Sequence, residues 1–261
     1  MKMREVNDRE EEILCEILNM AEAMLSHGAE VNRVEDTVQR MGDAYGATQM
    51  QVFVITSSIL VTMMCENGRQ ITQSRRLRDV GETDFYKLEE LNSLSRKCCK
   101  EPLEIERLRQ EIFRIEGQRH PKIHTYLGSV LGVAGFCMFF GGNLQDAVVA
   151  GLFALFICYL QEHLQKRCAN RVVFLLLCSF MCGLGICMVA SLTANLHTDK
   201  IMIGDIMVLI PGIALTNAVR DILIGDTISG FMRLIEALLW AGALAVGFMG
   251  AIWVMGYLGI H

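Results

Sequence analysis

Proline is scarce, with three in 261 residues, and beyond residue 121 only Pro211 remains. Charge is scarce over the same region. After residue 126 the chain keeps six of its 24 Lys+Arg and seven of its 29 Asp+Glu. With 52% hydrophobic residues and a mean hydropathy of +0.35, these shortages exclude a single ordinary soluble domain and predict a polar domain followed by a membrane domain. The ten cysteines contain no Cys-x-x-Cys pair and half of them lie in apolar spans, so they read as small hydrophobes and no metal is expected. Acids and bases in the front half are interleaved, the net charge is -5, and nothing resembles a nucleic-acid footprint. The phosphate loop G-x-x-x-x-G-K-[ST] and the nucleophile elbow Gly-x-Ser-x-Gly are both missing, which argues against direct ATP drive and against that class of hydrolase. The opening residues MKMREVNDREEE lack a basic start followed by an apolar core. The front domain is therefore expected to stay in the cytoplasm.

What the front half does contain is periodicity. Ile13, Ile17, Met20, Ala21 and Met24 recur at helical spacing, predicting a helix over 10–27, and a second is expected over 31–44. The runs QMQVFVITSS and ILVTMMCENG, closed by Asn67-Gly68 and followed by RQITQSRRL, read as a small antiparallel sheet. Helices over 84–99 and 103–117 complete an α+β domain at 1–120. Between the first two helices Gly28 supplies a turn, and Glu30, Arg33, Glu35 and Asp36 cluster just beyond it. That cluster is either a ligand site or a set of surface pairs favoured by the helix dipole. His120 and His124 are four apart, but Pro121 intervenes, and a linker into the membrane is the better reading.

Residues 121–261 hold five uncharged stretches, 125–145, 147–161, 172–197, 206–219 and 237–260, each a candidate membrane helix. The second is short unless Asp146 or Glu162 lies inside the membrane. The fourth is broken at Pro211-Gly212: proline has no N–H to give and clashes with the preceding turn, and irregular backbone at membrane depth is tolerated only inside protein or beside water. A half-helix starting near Gly212 would turn its positive end toward a substrate carboxylate. Thr216 and Asn217 offer neutral hydrogen bonds and Arg220 a charge for an anion. Asp205 is a candidate proton-carrying carboxylate; Asp221, Asp226, Arg233 and Glu236 are candidates for coupling or gating, with Gly225-Asp226 also readable as a plain turn. Bases cluster at Lys122, at Lys166, Arg167 and Arg171, and at Arg220 and Arg233, while the alternate connections offer only Lys200. By the positive-inside rule the front domain is inside and the C-terminus outside.

HGAEVNRVEDTVQRMGDAYG and PGIALTNAVRDILIGDTISGFMRLIEALLWAGALAVG resemble the two hallmark regions of the threonine/serine exporter family, which includes bacterial two-component succinate exporters. The resemblance covers nearly the whole chain. It implies that the chain is the larger, first-half component of a secondary exporter in the inner membrane, with five membrane helices behind a cytoplasmic domain. A small membrane protein would supply the second half; a homo-oligomer is also open. It carries Pro211, Gly212, Asn217, Arg220, Asp221, Gly225, Asp226, Gly230, Arg233 and Glu236 as motif positions, with Gly28, Glu30, Arg33 and Glu35 in the soluble domain. The expected cargo is a small carboxylate, a threonine- or serine-type amino acid or a succinate-type dicarboxylate, with no cofactor. The competing reading makes the soluble domain a membrane-anchored regulator, or a hydrolase using Glu30 or Glu35 with His27.

Overall fold

The structure, a computed structural model, describes the backbone of all residues except 1, 78–82, 119–120, 194 and 260–261, and side chains from residue 9 onward outside those positions. His120 and the C-terminal residue, both invoked above, lie outside the described residues. The chain folds as two compact units, Met1–Arg119 with Thr216–Arg233, and His120–Leu215 with Leu234–His261.

In the first unit, α1 (Lys2–Ser26) and α2 (Val31–Ala44) precede β1 (Ala47–Ile55), β2 (Ser58–Cys65) and β3 (Gln70–Arg76), and α3 (Phe85–Lys100) and α4 (Ile105–Glu116) follow. The sheet is antiparallel in the order β1-β2-β3. Its first hairpin turns tightly between Ile55 and Ser58, which are paired. The second closes around Asn67, whose side chain accepts the Arg69 N–H at 2.8 Å, as an Asx-type turn does. Along β2 Ile59, Val61, Met63 and Cys65 are buried in alternation, so one sheet face joins the core. On α2 Val31, Val34, Val38 and Met41 line the buried face, the three-to-four spacing of an amphipathic helix. With Leu14, Ile17 and Met24 of α1, Leu91 of α3 and Leu108 of α4 they form one continuous core. The Asp84 carboxylate accepts from the N–H groups of Tyr86 and Lys87 and starts α3, satisfying two of the donors a helix start leaves open.

The second unit contains α5 (Lys122–Phe139), α6 (Leu144–His163), α7 (Arg171–Leu192) and α8 (Thr198–Leu209); α9 (Gly212–Ile224) and α10 (Thr227–Tyr257) each contribute to both units. Its core is built from Cys137, Ala150, Ala154, Ile157, Phe174, Cys178, Cys182 and Phe248, among others. A Cβ on Gly247 would meet the Leu176 carbonyl at 2.6 Å, and one on Gly183 would meet Ala251 at 2.7 Å, so small residues let α7 and α10 approach as membrane helices do. Large apolar side chains point outward: Leu131, Leu152, Leu192, Met249 and Trp253 are all exposed, the pattern of a lipid-facing surface. Among the described residues three segments are long and apolar enough to cross a membrane, Leu144–Arg167, Arg171–Leu192 and Thr227–Tyr257, and a fourth is available if α8 and α9, bent by 55°, count as one. α5 stays outside this set because it opens on Lys122, His124 and Thr125.

Several boundaries differ from expectation: α1 begins at Lys2, eight residues before its periodic run, and two others have a visible cause. α6 includes both carboxylates that flank its uncharged stretch: Asn143 and Asp146 form a reciprocal capping box at its first turn, and Glu162 near its end pairs with Lys122 at 2.8 Å. α10 begins at Thr227, ten residues before the uncharged stretch. Arg233 and Glu236 interrupt hydropathy but are good helix formers.

Candidate functional site

The residues singled out above fall into two groups. The first group lies in the first unit, where the α1–α2 loop meets the α9–α10 turn. Gly28 has φ +91°, and a Cβ there would sit 2.8 Å from Thr83 Oγ1, so conformation and space both require glycine. Glu30, at the N-terminal boundary of α2, does not cap that helix with its side chain. Its carboxylate instead accepts from Arg220 Nη1 at 2.7 Å. Arg233 Nη2 donates to the Ala29 carbonyl at 3.2 Å, and its Nη1 lies 3.4 Å from Asp221. That last contact has the reach of an ion pair without hydrogen-bond alignment. Asp221 is 1% exposed and its Oδ2 has no hydrogen-bond partner among the described residues. A desolvated carboxylate needs a counter-charge, and Arg233 is the one at hand.

Glu35, further along α2, accepts the Val54 N–H at 2.9 Å. Val54 belongs to β1, an edge strand, so the carboxylate covers a donor that the sheet leaves open. Burial pushes the Glu35 carboxyl above the ordinary carboxylate range; the Val54 hydrogen bond opposes this and the nearby charge of Asp226 adds to it. Asp226 Oδ2 is itself buried with no hydrogen-bond partner among the described residues. The turn is tight: Gly225 has φ +109°, Asp226 N–H donates to the Asp221 carbonyl and Gly230 N–H to the Asp226 carbonyl, each at 2.9 Å. A Cβ on Gly230 would approach the Ala218 carbonyl to 2.7 Å, so α10 starts hard against α9. The result is four carboxylates, Glu30, Glu35, Asp221 and Asp226, around two guanidinium groups. Such an arrangement can hold the α9–α10 turn to the α1–α2 loop, and release of Glu30 would free the Arg220 guanidinium for an anion.

Other predicted residues stand apart from this cluster. Arg33 and Glu236 are exposed and make no ion pair among the described residues. The residues invoked for hydrolysis have separate engagements, His27 with Glu116 at 2.7 Å, Glu30 with Arg220 and Glu35 with Val54. On α9 Gly212, Thr216 and Arg220 are spaced four apart and all exposed, so they share one face, while Asn217 beside them is half-buried.

The second group lies in the second unit. α8 ends at Leu209, Ile210 is extended at φ -62° and ψ 133°, as a residue before proline prefers, and buried Pro211 leads into α9. Such a break takes the carbonyls ending one helix and the N–H groups starting the next out of the helical ladder. Asp205, one and a half turns earlier, is fully buried. Neither of its carboxylate oxygens has a hydrogen-bond partner among the described residues.

One constellation escaped the sequence reading. Asp146 is fully buried and accepts from the His197 backbone N–H at 2.8 Å, from His197 Nδ1 at 2.9 Å and from the Asn143 N–H at 2.8 Å. Asn143 Nδ2 also donates to the Asn195 carbonyl at 3.2 Å, so the α5–α6 and α7–α8 turns are tied together. The Asn-x-x-Asp spacing was a visible helix-start signal; its pairing with a histidine 51 residues away had none.

The sequence model of a family described as "Putative threonine/serine exporter" (ThrE) matches residues 16–255. The chain is similar to proteins named "Probable succinate transporter subunit YjjP" from Klebsiella aerogenes, at 25% identity over 90% of this chain and 91% of that protein, and from Escherichia coli, at 24% identity over 90% and 92%. It is also 24% identical to the "Probable threonine/serine exporter" of Mycobacterium tuberculosis over 89% of this chain but 44% of that longer protein. No solved structure matches it significantly. A match across residues 16–255, spanning both the α1–α2 loop and the α9–α10 turn, settles the kinship: this chain is a membrane protein of the threonine/serine exporter family.

Proposed function

We propose that this chain is the larger subunit of a secondary exporter that moves a small carboxylate, a threonine- or serine-type amino acid or a succinate-type dicarboxylate, across the inner membrane. The observation that carries the reading is Asp205, a fully buried carboxylate without a hydrogen-bond partner among the described residues, among apolar helices. Burying an ionised carboxylate alone is costly, and ionisable groups at membrane depth usually pair or work. Asp205 is the coupling carboxylate, neutral when it carries a proton. The substrate carboxylate is received on the exposed face of α9, at the helix start beside Pro211 and Gly212 and toward Thr216 and Arg220, with Asn217 adjoining. The Arg220 to Glu30 pair, together with Asp221, Asp226 and Arg233, makes the soluble domain a gate: the guanidinium that would meet a substrate is held by a tethered carboxylate.

With five membrane passages, α8 and α9 forming one broken span, and the basic connections on the inner side, the N-terminal domain of residues 1–120 lies in the cytoplasm and the C-terminus outside. The tie between the α5–α6 and α7–α8 turns supports this, since alternating passages bring those two turns to one side. Relatives named as a transporter subunit support a partner, a small membrane protein supplying the remaining helices.

The test is counterflow. Proteoliposomes holding this chain and the membrane protein that co-purifies with it should exchange labelled threonine, serine or succinate. Arg220→Gln should weaken the transported anion about tenfold or more, from the ~1.5–3 kcal/mol of a hydrogen bond to a charged group. Counterflow of none of the three would refute the reading.

A further inference from the structure

We infer that the connection between α6 and α7 is a binding site for an anionic phospholipid, its phosphate headgroup seated among Lys166, Arg167 and Arg171. The connection is short and fixed. It makes one 3-10 turn, Gln165–Arg167, in which the N–H groups of Arg167 and Cys168 both donate to the Leu164 carbonyl, at 2.9 and 3.1 Å. Leu164, Cys168 and Val172 pack against the core of the apolar helices, while Lys166 and Arg167 are exposed. Arg171 opens α7, and its guanidinium carbon lies over Trp240 of α10, 4.4 Å from the ring centre. That contact positions the cation without a carboxylate.

Among the described residues none of these three cations makes an ion pair or a side-chain hydrogen bond. The neighbouring carboxylates do not compensate them: Glu162 of α6 is taken by Lys122 at 2.8 Å, and Glu236, one turn before Trp240 on α10, makes no ion pair among the described residues. Basic residues at a membrane boundary also set orientation, but here a tight turn and an indole hold three of them unpaired at one place. The connection joins two segments long and apolar enough to cross a membrane, Leu144–Arg167 and Arg171–Leu192, so it sits where hydrocarbon gives way to headgroups. α7 and α10 run side by side in one direction, since Arg171 meets Trp240 while Gly247 approaches the Leu176 carbonyl and Gly183 approaches Ala251. Trp240 therefore stands at the same boundary, the level that tryptophan favours. Beyond Arg171, Val173 and Leu177 are exposed and four apart, so they share a face of α7 along which an acyl chain can lie. A soluble anion would use the cations and leave that face empty. The site requires only that the chain lies in a membrane and stands apart from the exporter reading.

The experiment uses Trp240 as its reporter. The chain has two tryptophans, so Trp253→Phe leaves Trp240 alone in the full-length protein. This parent is placed in phosphatidylcholine vesicles carrying a minority of brominated phosphatidylglycerol, and quenching of Trp240 is compared with that by the same fraction of brominated phosphatidylcholine. The anionic lipid should quench more strongly, as a lipid enriched beside the indole does. Each cation neutralised should lower that enrichment about fivefold, the worth of one Lys or Arg near an anionic lipid surface. Lys166→Gln with Arg167→Gln should therefore bring the two lipids close to parity, while the charge-keeping Lys166→Arg with Arg167→Lys retains the difference. Arg171→Gln alone should lower the enrichment about fivefold and decides the matter if the double variant does not assemble. Equal quenching by the two lipids in the parent, or enrichment unchanged by these neutralising substitutions, overturns the site. Enrichment abolished by inorganic phosphate but not by chloride at matched ionic strength overturns the lipid as occupant in favour of a soluble anion.

Discussion

Single residues in this chain are set by the company they keep. Glu30 and Glu35 are five positions apart on one helix start and have opposite fates: one is exposed enough to pair with Arg220 across half-open solvent, the other is drawn in to cover Val54. An exposed pair of that kind adds little stability, so the Glu30 to Arg220 contact matters as a position and not as glue. Glu35 has a pH signature. Its carboxyl is raised in the folded protein, first by burial and also by Asp226, against the Val54 bond, so the folded state binds its proton more tightly than the unfolded state. Stability from this residue is present below the ordinary carboxylate range and is lost as pH rises through the raised value. Thermal unfolding should therefore show Glu35→Gln gaining on the wild type as pH climbs from about 4 to about 7; a difference that stays constant over that interval would contradict the assignment.

At the scale of elements, the break between α8 and α9 is the feature that most shapes the second unit. Pro211 is the single proline after residue 121 and it stands where the two helices bend by 55°. Alanine is favoured over proline inside a helix by about 3 kcal/mol. Pro211→Ala should let α8 run into α9, raise helical content slightly in circular dichroism, and cut the transport rate several-fold by fixing one arrangement of a segment that must rearrange; transport at the wild-type rate would show that the bend is dispensable. Most of this element scale was legible in the sequence, because periodicity and turn residues are local. α2 begins and ends at Val31 and Ala44 as its pattern indicates, and both hairpins fall where the β-branched runs stop. Illegible features were long-range or hidden by charge. Nothing near Asp146 indicates His197, and hydropathy conceals the first turns of α10 because Arg233 is satisfied by the Ala29 carbonyl, 204 residues away, and by Asp221 on the preceding helix. The candidate site was legible as a set of residue types, but its pairing was not: Arg220 could be read as an anion binder, and only the fold shows that Glu30 already occupies it.

The whole molecule joins a polar unit with its own core to a unit of apolar helices, and one stretch of sequence, Thr216–Arg233, folds with the former although it is flanked by segments of the latter. This gives the family resemblance a physical content. The two hallmark regions, far apart in sequence, are the two halves of one ionic cluster, so a change in either reaches the helices that carry the proposed substrate face. The central claim is that a proton on Asp205 drives export, and the most direct measurement is of Asp205→Asn in proteoliposomes of the complete complex, with counterflow and proton-driven transport recorded side by side. A permanently neutral side chain at that position should leave counterflow within about twofold of wild type and reduce proton-driven accumulation at least tenfold, the cost of about 1.4 kcal/mol or more of lost coupling. Undiminished proton-driven accumulation in Asp205→Asn would contradict the account.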